Sequence, residues 1–105
     1  MSTHISYTHK KITSEGGIIM DESVIIGKVI RTLRREKGLS QFAVASRSGI
    51  NLSYYCKLEG GQANPSIRVI FAVTHTLGVS PAQFIELISL EMQFFLISES
   101  ASEPA

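Results

Sequence analysis

Residues 40–61, Ser40 to Gly61, read SQFAVASRSGINLSYYCKLEGG, and the reading of this stretch decides the fold. Ser40 is a good N-cap, because its hydroxyl can accept from a first-turn backbone N–H that has no helical partner. Leu39 before it and Val44 at the fourth helical position match a hydrophobic staple, which fixes how the chain enters a helix. That helix is predicted over Gln41 to Arg47 and buries Val44 and Ala45. Gly49 supplies the positive φ of a tight turn. A second helix starts near Asn51, another capping residue, and stops at Gly60–Gly61. Two short helices around a one-glycine turn make a helix-turn-helix. Ala45 is small where the two helices cross, and Ile50, Tyr55 and Leu58 anchor the second from one side. At about 100° per residue, Asn51, Tyr55 and Leu58 cluster together, while Ser53, Cys56, Lys57 and Gly60 lie opposite. Leu52 and Tyr54 flank that outer surface.

On either side of the motif the chain continues as capped helices. Upstream, Ile26, Ile30 and Leu33 at i, i+4 and i+7 predict a helix over residues 23–37, stopped by Gly38. Downstream, Gly60 to Pro65 is a loop. Ser66 caps a fourth helix with Ile67, Ile70, Phe71, Thr74 and Leu77 as its inward stripe, and Gly78 ends it. Ser80-Pro81-Ala82-Gln83 opens a fifth, with a cap, a proline at the first position and a glutamine to close a capping box. Residues 1–22 are expected to form a flexible N-terminal arm, and Met20 is a candidate start. Alternation at Ile5, Tyr7 and His9, with a turn at Gly16-Gly17 toward Ile18-Ile19, is a weak hairpin signal there. The expected division is the arm 1–22, a domain over 23–98 and a frayed tail over 99–105. Within the domain the helix-turn-helix occupies 40–60 and the last helix 80–98. No internal repeat or β pattern of substance interrupts 23–98, so the class is all-α.

A chain of 105 residues makes one small domain. Its 44% apolar content is ordinary for a sequence that folds. No apolar run approaches the roughly 18 residues of a membrane span, and MSTHISYTHKK lacks the apolar core of a secretory signal. A single cysteine, Cys56, excludes an internal disulfide framework and fits a reducing cytosol. A cytoplasmic, nucleoid-associated protein with no membrane partner is expected. His4, His9 and His75 lack ligand-like spacing, so no metal or other cofactor is expected. No paired carboxylates, nucleophile–base set or phosphate loop points to an enzyme. Net charge is only +1, but residues 27–79 carry eight Lys and Arg against two Glu, and residues 80–105 carry four Glu and no cation. A basic middle suits an anionic partner, although a solvated helix face gives the same pattern.

The run from Ile26 to Ile88 resembles the phage-repressor (Cro-like, or Xre) helix-turn-helix family. The similar features are Ser40-Gln41, Ala45, Gly49, Leu58-Glu59 followed by Gly60-Gly61, Asn64-Pro65-Ser66, and Leu77-Gly78-Val79-Ser80. The resemblance implies a five-helix, lambda-repressor-like DNA-binding domain with double-stranded DNA as partner, its third helix in the major groove and its second across the backbone. Position on the third helix then makes Leu52, Ser53 and Lys57 the candidates for base contact, with Asn51 as cap and further base contact. The resemblance puts Gln41 on a phosphate and Tyr54, Gln62 and Asn64 on the backbone, with Arg47 and Arg68 contributing electrostatically. The basic run Arg31, Arg34, Arg35 and Lys37 adds long-range attraction. Two positions depart from the family. Tyr55 stands where an aliphatic residue is usual, so its hydroxyl needs a partner. Phe42 stands where a charge is usual, and packing is the expected role. Cys56 reads as a small residue tolerated at the surface.

The fifth helix carries a separate argument. Phe84, Leu87, Ile88, Met92 and Phe95 span one face, but Leu90, Phe94 and Ile97 widen the apolar arc well beyond the roughly 100° that one core requires. Glu86, Ser89 and Gln93 form the polar stripe. Glu91 falls inside the arc, either pairing across a seam or marking where the helix emerges. A homodimer through Leu87, Leu90, Glu91, Phe94, Phe95 and Ile97 is the expected use of this face. It would set two recognition helices on a palindromic operator, as in a repressor or a restriction-modification controller. The alternative is an antitoxin-like interaction module that grips another protein with the same face.

Overall fold

In the computed structural model, which describes residues 21–101 (side chains over 21–98) and the backbone of 11–12 and 18–19, five helices follow one another. They are α1 (Glu22–Glu36), α2 (Gln41–Ser48), α3 (Leu52–Glu59), α4 (Ile67–Leu77) and α5 (Pro81–Ala101). Each begins at a side chain that accepts from the first turn, which settles donors the helix itself leaves open. Asp21 accepts from Ser23 N, Ser40 from Ala43 N, Asn51 from Tyr54 N and Ser66 from Val69 N, all at 3.0–3.2 Å. At α5 the box closes both ways, Gln83 N donating to Ser80 Oγ at 3.0 Å and Ser80 N to Gln83 Oε1 at 2.8 Å. Gly49 sits at φ +71° and Gly78 at φ +74°, capping α2 and α4 at their C-termini. The all-α class and the five-helix order match the expectation.

The core is built from one face of every helix. Ile25, Val29, Ile30 and Leu33 of α1 meet Val44 and Ala45 of α2, Tyr55 and Leu58 of α3, Val73 and Leu77 of α4, and Phe84 and Ile88 of α5. Each large side chain removed from water in this way contributes about 1.5–3 kcal/mol before entropy is counted. Leu39 packs against the same cluster, as a staple requires.

Several expectations need correction. The α1 stripe is Ile25, Val29, Ile30 and Leu33, with Ile26 half-buried at its edge. In α4, Ile67 and Phe71 point outward, and Val73, Thr74 and Leu77 take the inner side. Ile67 and Phe71 share their side of α4 with Arg68 and His75, all four exposed, so the charged and polar residues and not the apolar i, i+4 pair mark which face is outer. Phe42 is 66% exposed, so it is no packing plug. Glu91 forms an ion pair within its own domain, with Lys28 of α1 at 3.5 Å. Helix α5 continues to Ala101, three residues beyond the expected end. Near the N-terminus, Lys11–Ile12 pairs antiparallel with Ile18–Ile19, Lys11 opposite Ile19 and Ile12 opposite Ile18. The alternation expected at Ile5, Tyr7 and His9, the candidate start Met20 and the tail beyond Ala101 lie outside the described residues.

Candidate nucleic-acid interface

Helix α3 is held from behind by apolar packing and by a buried charge. Tyr55 and Leu58 are wholly enclosed, and Glu59 beside them is almost so. Helix α1 crosses behind them at Gly27, where an added Cβ would stand 2.3 Å from the Leu58 carbonyl oxygen and 2.7 Å from that of Glu59. Only a residue without a side chain allows that approach.

The Glu59 carboxylate is the hub of a polar cluster joining three helices. Arg34 of α1 binds it bidentately, Nε to Oε2 at 2.5 Å and Nη2 to Oε1 at 3.1 Å, and also donates from Nη1 to the Leu39 carbonyl at 2.9 Å. The Tyr55 hydroxyl donates to Oε2 at 2.5 Å, and Gln41 Nε2 of α2 donates to Oε1 at 3.0 Å. Arg31 Nε approaches Oε1 at 3.8 Å. Burial alone would push the carboxyl up, but hydrogen bonds from Arg34, Tyr55 and Gln41 outweigh it and hold Glu59 below the usual carboxylate range. The bond to Glu59 raises Arg34, and burial followed by the bond to Glu59 raises Tyr55. The Tyr55 hydroxyl thus has the partner its position demanded.

On the other side of α3 the residues face outward. Asn51, Ser53 and Lys57 are exposed, Leu52 is 40% exposed, and Tyr54 is half-buried against the core. Arg47, Gln62, Asn64 and Arg68 are exposed, and Gln41 is half-buried. Asn64 accepts a hydrogen bond from the hydroxyl of Ser23 at the start of α1. Cys56 is half-buried, with Sγ 3.5 Å from Gln41 Oε1. Polar donors thus line the outward side of α3 and the loop after it, the chemistry that acceptor-rich phosphates and groove edges require.

Sequence reasoning gave Glu59 no role beyond the charge count and the Leu58-Glu59 resemblance, and passed over Gly27. Their signals were available: a glycine amid a helical apolar stripe, and an arginine and a glutamate near the ends of helices that must cross, with a tyrosine one turn before the glutamate. Part of the basic middle is correspondingly engaged within the domain. Arg34 is spent on Glu59, Lys28 pairs with Glu91, and Lys37 Nζ lies at the end of α4, 3.0 Å from where a Gly78 Cβ would be.

Helix α5 presents a different surface. Phe84, Ile88 and Phe95 are buried, and Leu87 and Met92 are half-buried against the core. Ile85, Leu90, Phe94, Leu96 and Ile97 are all more than 40% exposed. Of the residues expected at a dimer interface, Leu90, Phe94 and Ile97 lie outward, Leu87 and Glu91 are half-buried and Phe95 is enclosed. No helix among the described residues is long and apolar enough to cross a membrane.

Comparison with known proteins places this geometry in a family. Residues 25–87 match the model of a helix-turn-helix domain. An HTH-type transcriptional regulator of Sinorhizobium fredii, y4dJ, is 38% identical over 66 residues, which are 63% of this chain and 86% of y4dJ. The clp gene regulator ClgR of Corynebacterium glutamicum has a similar structure, with a TM-score of 0.73 at 25% identity over 77% of this chain and 86% of ClgR. The restriction-modification controller protein C.AhdI of Aeromonas hydrophila aligns with a TM-score of 0.58 at 36% identity, over 60% of this chain and 96% of the controller.

Proposed function

The chain belongs to the helix-turn-helix family of DNA-binding transcriptional regulators, and from that premise we propose a sequence-specific regulator that binds a palindromic operator as a homodimer. The single observation that carries this reading is the division of α3. Tyr55, Leu58 and Glu59 are held inside, while Asn51, Leu52, Ser53 and Lys57 are left on the outside. In the mechanism, α3 enters the major groove. Lys57 donates to guanine O6 or N7, Ser53 and Asn51 bond base edges, and Leu52 touches a thymine methyl. Gln41, Tyr54, Gln62 and Asn64 bond the sugar–phosphate backbone and set the register, and Arg47 and Arg68 add attraction. The homodimer forms through the exposed apolar side of α5 around Leu90, Phe94 and Ile97, with Leu87 at its margin. Two copies of α3 then reach successive major grooves about 34 Å apart. A solved structure of a similar protein, the restriction-modification controller C.Esp1396I, has it bound to a 25 base pair operator site, which supports this class of partner. The setting for such work is the cytoplasm, at the nucleoid.

Selection of bound duplexes from a random pool, followed by titration at several salt concentrations, tests the reading. A recovered inverted repeat whose affinity falls steeply with salt is the expected result. Absence of binding at low salt would discard it. The exposed apolar side of α5 supports one other reading, an antitoxin-like module seated on a second protein. A homodimer that encloses that side counts against it.

A further inference from the structure

An amide side chain has two unlike ends, a carbonyl oxygen that accepts and an NH₂ that donates. Phosphate oxygens accept only, so an amide can bond a phosphate through its nitrogen alone. Rotated by half a turn, the same side chain turns lone pairs toward an anion. Four amides, Gln41, Asn51, Gln62 and Asn64, stand where contact with DNA is proposed, and in three of them the oxygen is already engaged inside the protein. Asn51 Oδ1 accepts from Tyr54 N at 3.1 Å. Asn64 Oδ1 accepts from the Ser23 hydroxyl, a bond that ties the loop after α3 to the first turn of α1. Gln41 Oε1 accepts from the Cys56 thiol at 3.5 Å, while one hydrogen of its Nε2 goes to Glu59 and the other is left over.

We propose that Ser23 and Cys56 are positioning residues for DNA binding: each ties back the oxygen of one backbone-contacting amide, Asn64 and Gln41 respectively, so that the amide meets phosphate as a donor. The proposal rests on the DNA-binding reading above. Neither residue needs to touch DNA. Ser23 contributes the stronger bond, because a hydroxyl is a better donor than a thiol. Orienting the amides before the complex forms removes part of the ordering cost of association.

The test measures affinity by fluorescence anisotropy for two duplexes, the tightest binder recovered from a random pool and an unrelated duplex of the same length. Ser23→Ala is expected to weaken both by the same factor, about three- to tenfold. In an Asn64→Ala background the same substitution should do nothing further, the signature of one residue acting through another. Ser23→Thr should restore affinity. The slope of affinity against salt should stay unchanged, since no charge has been removed. Asn64→Asp, which puts an acceptor in place of the donor, should bind worse than Asn64→Ala; this comparison does not depend on Ser23→Ala folding normally. Cys56→Ala should cost about twofold, recover with Cys56→Ser and vanish in a Gln41→Ala background. Effects at Ser23 that multiply with those at Asn64, or an Asn64→Asp protein that binds as well as Asn64→Ala, would overturn the positioning role while leaving DNA binding intact. An unaltered protein that binds neither duplex would remove the DNA reading and this inference together.

Discussion

Helices α3 and α5 both bury one side in the same core and leave the other to solvent, but the sides they leave out differ in kind. The outer residues of α3 are asparagine, serine and lysine with one half-exposed leucine, and those of α5 include Ile85, Leu90, Phe94, Leu96 and Ile97. A polar exposed side costs nothing in water and can exchange hydration for hydrogen bonds to another polar surface. An apolar exposed side gains free energy only when something covers it. Under the proposed function the contrast corresponds to two separate tasks within one small domain: the outer residues of α3 read a polar surface, and the outer side of α5 joins a partner. The means of support differ as well. Helix α5 is long enough to lie on the core by apolar packing. Helix α3 is too short for that alone and is fastened by the Glu59 cluster and the close passage of α1 at Gly27.

The sharpest way to break this contrast is to undo the fastening of α3. Arg34→Ala leaves Glu59 buried without its bidentate partner and should destabilise the fold by about 3–5 kcal/mol in urea unfolding. A loss under about 1 kcal/mol would mean that α3 does not depend on the cluster. The same cluster predicts a pH dependence. The carboxyl of Glu59 is held low in the folded protein, so the unfolded chain takes up the proton first as pH falls. Its contribution is fully present above the ordinary carboxylate value near about 4.3 and is lost as pH drops through the folded value. The stability gap between wild type and Arg34→Ala should therefore narrow in acid.

On the α5 side, Phe94→Asp puts a charge on the exposed apolar surface while sparing the core. Sedimentation should show monomers, and operator affinity should fall about a hundredfold or more as the second recognition helix is lost. A variant that stays dimeric would move the interface elsewhere. Lys57→Ala acts on the outer side of α3 alone. It should leave thermal stability unchanged and lower discrimination between operator and altered bases by about 1–3 kcal/mol. Tyr55→Phe removes only the hydroxyl bond to Glu59, which keeps Arg34 and Gln41. A loss of about 1 kcal/mol is expected in thermal unfolding, and a much larger one would make the hydroxyl a principal support.

Caps and periodicity made most of the fold legible. Ser40, Asn51, Ser66 and the Ser80–Gln83 pair mark helix starts that the structure reproduces, because a cap depends on residues a few positions away. The turn at Gly49 is local for the same reason. Face assignment succeeded where polar residues break the pattern, as at Tyr55 and Leu58, and failed in α4, where Ile67 and Phe71 lie outward. Arg68 and His75 share that outward side, a contrast that two large apolar residues beside them obscure.

What the sequence by itself determined, then, is the order of helices, the helix-turn-helix and which residues of α3 oppose one another around its axis, all set by interactions a few residues long. Only the tertiary structure decided that Glu59 lies buried between Arg34, Tyr55 and Gln41, that Gly27 lets α1 pass against α3, and that Ser23 reaches Asn64. Those facts join residues far apart in the chain. A buried charge becomes tolerable only where distant helices bring its partners together, and no local spacing records that meeting.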